Sequence, residues 1–523
     1  ATTGQSLPAG WCLMTYGTVG AVKLGRQRAP AHHNGTHMRP YLRVANVYLD
    51  RIDLTDVKSM NFTPEEFAVY QLREGDILFN EGQSYELVGR PAMFRDEIGE
   101  CCYQNTLVRL RPHEFIHSRF ALYVAIADFY LGRFRDVARH TTNISHLGAQ
   151  RLADLDFPVP PLAEQERIAD RIDELFTDLA AGVAALERVK RNLSRYRAAV
   201  LHAAVTGCLT EAWRKEHGPP DEPALKLLER ILAERRKQWE RRTLAAYEAK
   251  GKQPPKNWKS RYKEPAAPKL PEDGTTLPDL PKGWCWASVD QCVIEPLSNG
   301  ISVKGSDTPP GTPALKLNAM SEAGFDYSAI RYIPINDDVV DANVVSEGDF
   351  FVSRGNGSLH LLARGTLAQT PPFVVVFPDT MIRLRICEQA SWIPTVWASG
   401  VVRHQIEKMA KTTAGIHKIS QSDLARLAIP LSPMAEQATI VEAVNEKLSQ
   451  IDALEAEVTR GLARAGRLRQ AILKAAFKGN LVPQDPSDEP ASVLLESIRK
   501  QAADAPKPKR KTKKKTTRKA ATR

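Results

Sequence analysis

The chain has 523 residues, 43% hydrophobic and 25% charged, enough for about three domain-sized units with real cores. Its apolar runs fall well short of the ~20 residues of a spanning helix. The opening ATTGQSLPAGW lacks the pattern of a secretory signal, and seven cysteines without a C-x-x-C pair argue against a zinc ribbon or disulfide scaffold and for a reducing cytoplasm. The formal charge of +11 is unevenly spread: ten lysines and arginines, and no acid, lie between Pro506 and Arg523. The segment 504–523 therefore reads as a disordered basic tail with sequence-blind affinity for polyanions, and any basic surface in the body must be local.

In chain order, residues 1–157 mix strand-like runs with turns. Tyr41–Tyr48 reads as a strand. Thr63-Pro64-Glu65-Glu66 opens a short helix, with Thr63 as cap, Pro64 at its first position and Glu66 closing a capping box. Gly75 stops that element before the apolar strand Ile77–Phe79, and Leu107–Leu110 is a further strand. After Pro158 the period changes. Ile168, Ile172, Leu175, Leu179, Val183, Leu186, Val189, Leu193, Tyr196 and Val200 recur in steps of three and four, the pattern of a long amphipathic helix suited to a coiled coil, with Gly207 at its stop. Leu225–Lys250 reads as a charged helix that completes a helical region over 158–250, and 251–279 is a proline-rich linker. Residues 280–429 again mix strands and turns, with Gly348 before Phe350–Val352 and a strand-like Phe373–Phe377. Residues 430–503 repeat the helical rhythm from Ile440 to Ile472, with Gly479 at the stop.

The two halves are copies. Leu7-Pro-Ala-Gly-Trp11-Cys12 recurs as Leu280-Pro-Lys-Gly-Trp284-Cys285, Glu74-Gly-Asp76 as Glu347-Gly-Asp349, and Arg109-Leu-Arg111 as Arg383-Leu-Arg385. From Pro158 to Leu209 the alignment with Pro430–Leu481 runs without a gap, 18 of 52 positions being identical, and Asp221-Glu-Pro-Ala224 recurs as Asp488-Glu-Pro-Ala491. A collinear series of this kind is a tandem duplication. The expected fold is α+β: two α/β globular modules (1–157 and 280–429) separated by two long antiparallel coiled-coil helices, with a pseudo-twofold internal repeat. Two unlike modules in such an arrangement suit two unlike half-sites on duplex DNA, as dimeric DNA binders suit two like ones.

These residues resemble the specificity (S, HsdS) subunits of type I restriction–modification systems, over nearly the whole chain from Leu7 to about Ala503. The carriers are Leu7-Pro-x-Gly-Trp11, LRVANV at 42–47, EGDILFN at 74–80, ELVGR at 86–90, EGDFFVSRGNGS at 347–358, and the pattern P-x-x-E-Q-x-x-I before a long helix, which starts at Pro161 and again at Pro433. The resemblance implies two DNA target recognition domains, a non-catalytic role, and assembly with two modification (M) subunits and with restriction (R) subunits. S-adenosylmethionine and ATP with Mg are then expected on those partners, with no cofactor and no metal on this chain. The sequence agrees in lacking G-x-x-x-x-G-K-[ST], H-E-x-x-H and N-P-P-[FYW]. The competing readings are a coiled-coil scaffold with protein-binding ends, a stand-alone DNA-binding protein, and a self-sufficient modification enzyme, which the missing cofactor motif disfavours.

Base edges are read by Arg or Lys on guanine and Asn or Gln on adenine, and phosphates by any basic or amide donor. On that chemistry the candidate DNA contacts of the first module are Lys23, Arg26, Arg28, Asn46, Asn80, Gln83, Tyr85 and Arg90. Those of the second are Lys304, Lys316, Asn318, Arg354, Asn356, His360 and Arg364. The loops at 80–85 and 353–358 share a register but differ in content, as two different half-sites require. Their bland reading is ordinary turn chemistry. Glu164, Gln165, Glu436 and Gln437 are candidates for docking the M subunit, against the simpler reading of acids favouring a helix dipole. Arg109, Arg111, Arg383 and Arg385 read as surface ion pairs or phosphate contacts. His32, His33 and His37 read as solvated loop residues.

Overall fold

The computed structural model describes residues 7–141, 143–269, 277–386, 391–413, 415–493 and 495–496; the basic tail lies outside them. The chain divides into two compact units, residues 1–187 with 459–523, and residues 188–458.

In the first unit, an antiparallel sheet runs Gly20–Leu24, Leu107–Pro112, Ile77–Asn80, Pro91–Met93. A second sheet places Met38–Leu42 between Cys102–Tyr103 and Lys58–Asn61. The apolar side of the first sheet packs on helix Ser118–Leu131 through Tyr16, Phe79, Phe120, Phe134 and Phe157, with edge-to-face rings 5.0 Å apart at Tyr16–Phe157 and 5.5 Å at Phe79–Phe134. The Thr63 capping box forms: Glu66 N donates to Thr63 Oγ1 and Thr63 N to Glu66 Oε2, over helix Pro64–Tyr70. The expected strand Tyr41–Tyr48 is broken. A 3-10 turn at Val44–Asn46 interrupts it, because the Asn46 side chain accepts from Arg43 N and donates to the carbonyls of Asp53 and Asp56.

The second unit repeats this order strand for strand: Ser298–Asn299, Met381–Arg385, Asp349–Ser353, Gly365–Leu367 form its main sheet. Thr312–Leu315 pairs with Ile330–Ile333. Its core is built on Trp284, Trp392, Phe350 and Trp397. Phe373–Phe377 makes no regular strand. Phe373 and Val374 are exposed, and only Val376 bridges, to Ala314 and Val344.

Each module ends as it begins. Cys12–Thr15 pairs antiparallel with Asp156–Val159, and Cys285–Ser288 with Ala428–Leu431. The chain leaves directly into a long helix, Leu162–Val205 in one case and Met434–Ala476 in the other. The stops fall at Gly207 and Gly479, both left-handed (φ +74° and +72°). Within the first unit Arg469 lies 4.4 Å over the Phe176 ring, and Gly461 is so near Leu186 that a β-carbon there would come within 3.0 Å of its Cδ1. Numbers rise on one helix as they fall on the other, so the pair is antiparallel. Within the second unit Arg197 bonds Asp452 and Glu455, and Thr210, just past the helix end, reaches Glu436. The sense is again antiparallel. The charged helix forms at Ala224–Glu248, burying Leu227, Leu228 and Ile231 against the second unit.

Candidate nucleic-acid interface

The repeated motifs find one another inside each unit. Trp11 Nε1 donates to Glu164 Oε2 at 3.1 Å, and Trp284 Nε1 to Glu436 Oε2 at 2.7 Å. Gln165 accepts from His117 N at 2.9 Å and donates to Pro160 O, and Gln437 donates to Ser432 O at 2.7 Å. All four side chains of the two Glu-Gln pairs are buried. They are not the docking surface expected of them: their polar atoms hold the start of the long helix to the module that precedes it. Burial raises the Glu164 carboxyl above its ordinary range, against the indole hydrogen bond that lowers it.

The alternating arginines also face inward. Arg111 clasps Asp76 through Nε at 2.7 Å and Nη2 at 2.6 Å, and Arg385 clasps Asp349 at 2.8 and 3.0 Å. Arg109 and Arg383 are 4% and 6% exposed, lying over Tyr103 and Phe377 and donating to backbone carbonyls. The reading of this quartet as surface ion pairs or phosphate contacts is corrected for these two. A bidentate carboxylate partner inside each sheet fixes the turn before the central strand.

Of the first module's candidates, three are buried and engaged internally. Arg26 is buried, bonded to Glu66 and to Asn61 O at 2.7 Å. Asn46 caps its own turn, and Asn80 is fully buried with Nδ2 on Val47 O. None of these can reach a base edge. Arg90 is half-buried, bonded to the same Val47 carbonyl at 2.7 Å and lying over Tyr48; burial lowers its guanidinium pKa, and nearby Arg51 does so too. Arg28 and Tyr85 are exposed, and Lys23 and Gln83 are partly so.

In the second module Lys304, Asn318, Arg354 and His360 are exposed. Lys316 pairs with Asp307 at 2.7 Å. Asn356 turns its Oδ1 onto Ser358 N, and Arg364 sits 3.6 Å from Glu322.

The structure adds an element that sequence reading missed. Gly82–Gln83 is the third strand of a small sheet with the hairpin Arg139–His140 and Ser145–His146. Gly355–Asn356 is likewise joined by Lys411–Thr413 and Ile416–Lys418. Each glycine-bearing loop is thus widened into a basic platform. The first carries Gln83, Tyr85, Arg135, Arg139 and His140, with Arg135 over the Tyr85 ring and His146 on Glu81. The second carries Arg354, Asn356, Lys411, His417 and Lys418. The only advance signal was that RHTTNISH at 139–146 and KTTAGIHK at 411–418 sit at the repeat offset. Among the described residues there is no group of side chains suited to a metal ion, and no helix is long and apolar enough to cross a membrane.

Residues 11–188 match the family model described as "Type I restriction modification DNA specificity domain". The specificity subunit of the type I restriction enzyme EcoKI from Escherichia coli (strain K12) is 25% identical over 514 residues, 95% of this chain and 96% of its own. That of StySPI from Salmonella potsdam is 24% identical over the same shares. Over nearly its whole length the chain is similar to type I specificity subunits. A chain from a structure concerned with complex assembly and conformational transition of the type I R-M system shares the fold, with a TM-score of 0.59 at 17% identity, covering 91% of this chain and 100% of its own. Specificity subunits are non-catalytic; methyl transfer and cleavage reside on separate modification and restriction subunits.

Proposed function

We propose that this specificity subunit reads a bipartite, asymmetric DNA target, one short element with each module, on behalf of a modification and restriction complex. One observation carries the reading: the two modules share their internal locks, Trp on Glu and Arg on Asp, while the platforms built on those locks present Gln83, Tyr85, Arg139 and His140 in one case and Arg354, Asn356, Lys411 and Lys418 in the other. A matched scaffold with unmatched polar tips suits two different sequences read in the same way. The exposed Arg28, Lys304, Asn318 and His360 and the partly exposed Lys23 would serve as phosphate or flanking contacts. Two modification subunits would supply S-adenosylmethionine and the methyl transfer, and restriction subunits the ATP- and Mg-dependent steps, in the cytoplasm. Their docking surface would lie on exposed residues and not on the buried Glu-Gln pairs.

Methylation mapping of a host carrying the complex tests this. Exchange of residues 1–157 for another module should change one element of the methylated motif and leave the other and the gap intact. Changes in both elements, or methylation without a bipartite motif, would overturn it.

A further inference from the structure

Each basic platform carries one apolar residue at its tip. Ile144 is 47% exposed and Ile416 44%. They occupy matched positions of the two hairpins, and both are built in the same way. A β-carbon on Gly82 would lie 3.8 Å from Ile144 Cγ2, and one on Gly355 would lie 3.7 Å from Ile416 Cγ2. Each isoleucine therefore lies diagonally beside the glycine of the neighbouring strand, whose register partners are His146 and Lys418. In the first hairpin, Thr141 N and Oγ1 both donate to Ile144 O, at 2.9 and 2.7 Å, and fix the turn.

A single exposed aliphatic residue is ordinary. Its recurrence here is selective. Between 139–146 and 411–418 only Thr141/Thr413 and Ile144/Ile416 are identical, while the other positions differ. The surroundings are basic: Arg135 and Arg139 on one side, Arg354, Lys411 and Lys418 on the other, with Glu81 held by His146 and Asp423 3.7 Å from Lys411 as nearby carboxylates. An apolar tip on a basic hairpin fits a polyanion that can accept an apolar group between its stacked rings. Duplex DNA does so when wedged by Ile, Leu or Phe.

We propose that Ile144 and Ile416 are base-step wedges: each enters its own half-site, unstacks one step, and does so identically at both because the role carries no sequence information. This rests on the DNA-recognition reading and adds a deformation step to it, of the kind a methyltransferase needs before it can extrude a base.

The test uses the full chain assembled with its modification subunits and duplexes carrying the mapped target. Ile144→Ala and Ile416→Ala should each weaken binding to the fully paired duplex about tenfold. Binding should return to within about threefold of wild type when a mismatch is placed in one half-site, a different half-site for each variant. Ile144→Leu should behave as wild type. Unchanged affinity, or an equal loss on paired and mismatched duplexes, overturns the wedge and leaves recognition standing. Failure of the variants to copurify with the modification subunits also overturns it, by assigning the tips to protein docking. A wild-type complex that does not prefer the target over a scrambled duplex overturns the recognition reading, and the wedge with it.

Discussion

The indole N–H of Trp11 donates to Glu164 Oε2 at 3.1 Å across 153 residues of sequence. It joins the first repeated motif of the module to the first turn of the helix that leaves it. In the second unit the equivalent carboxylate, Glu436, also receives Thr210 Oγ1 at 2.6 Å and Arg214. In the first unit the neighbouring charges, Arg167 and Asp488, pair with each other at 2.7 Å. The two locks are therefore unequally supported.

Trp11→Phe should destabilise the first unit by about 2 kcal/mol, the scale of a buried hydrogen bond to a charged acceptor. Trp284→Phe should cost its unit less, since Glu436 keeps two other donors. Hydrogen exchange in the paired strands Cys12–Thr15 and Cys285–Ser288 measures the two effects separately.

A buried carboxylate gives the first unit a pH dependence of unusual sign. Burial pushes the Asp128 carboxyl up to about 6, although Arg133 and the Tyr16 hydroxyl, which donates to it at 2.8 Å, act the other way. Its folded pKa thus exceeds the unfolded value near 4, and between about pH 6 and 4 the folded state holds a proton that the unfolded state has released. This group's contribution to stability is complete below the unfolded value and is lost as pH rises through 6. Glu164 shifts in the same direction. Asp128→Asn should remove about 1 kcal/mol of the stability difference between pH 5 and pH 7 in denaturant unfolding.

The Arg-on-Asp clasps predict a larger loss. Asp76 is 1% exposed and faces Arg111 at 2.6 Å and Arg109 at 4.0 Å. Asp76→Ala would leave two arginines without their carboxylate, at a cost of about 3–5 kcal/mol. Asp349→Ala should cost the second unit less, because Glu295 stays 3.2 Å from Arg385 and 3.4 Å from Arg383. Limited proteolysis should show the first variant opening only the first unit and the second variant only the second.

For recognition, Arg354→Ala should cost about 1–3 kcal/mol of discrimination at a single base position if its contact is to a guanine edge. Gln83→Ala should relax a position in the other element. Selection from randomised duplexes reads both, and a uniform loss across sequences would mark either residue as a phosphate contact.

Much of this architecture was legible in the sequence. The duplication, the long helices and the antiparallel sense within each unit follow from apolar spacing and repeat offsets, which burial enforces over thirty residues at a time. The candidate site was less legible. Asn46, Asn80 and Arg26 have the chemistry of base readers, yet burial turns that same hydrogen-bonding capacity inward. The Glu-Gln pairs have the look of exposed helix starts, but tryptophans more than 150 positions away cover them. The hairpins escaped notice because a short polar strand carries almost no periodic signal until its partner, here Gln83 or Asn356, is known.

The first unit is discontinuous in the chain. Its core includes Ile472, Leu473, Ala476 and Ala491 beside Ile168, Ile172 and Phe176, and Ala491 N is bonded to Gly10 O at 2.9 Å. During synthesis at ~5–20 residues per second, the ribosome would finish every residue of the second unit before these closing residues emerge, so the module made first waits tens of seconds with an apolar seam unsealed. The nascent chain therefore matures in reverse order of its translation, and truncation near the 3′ end of its message would be felt at its beginning.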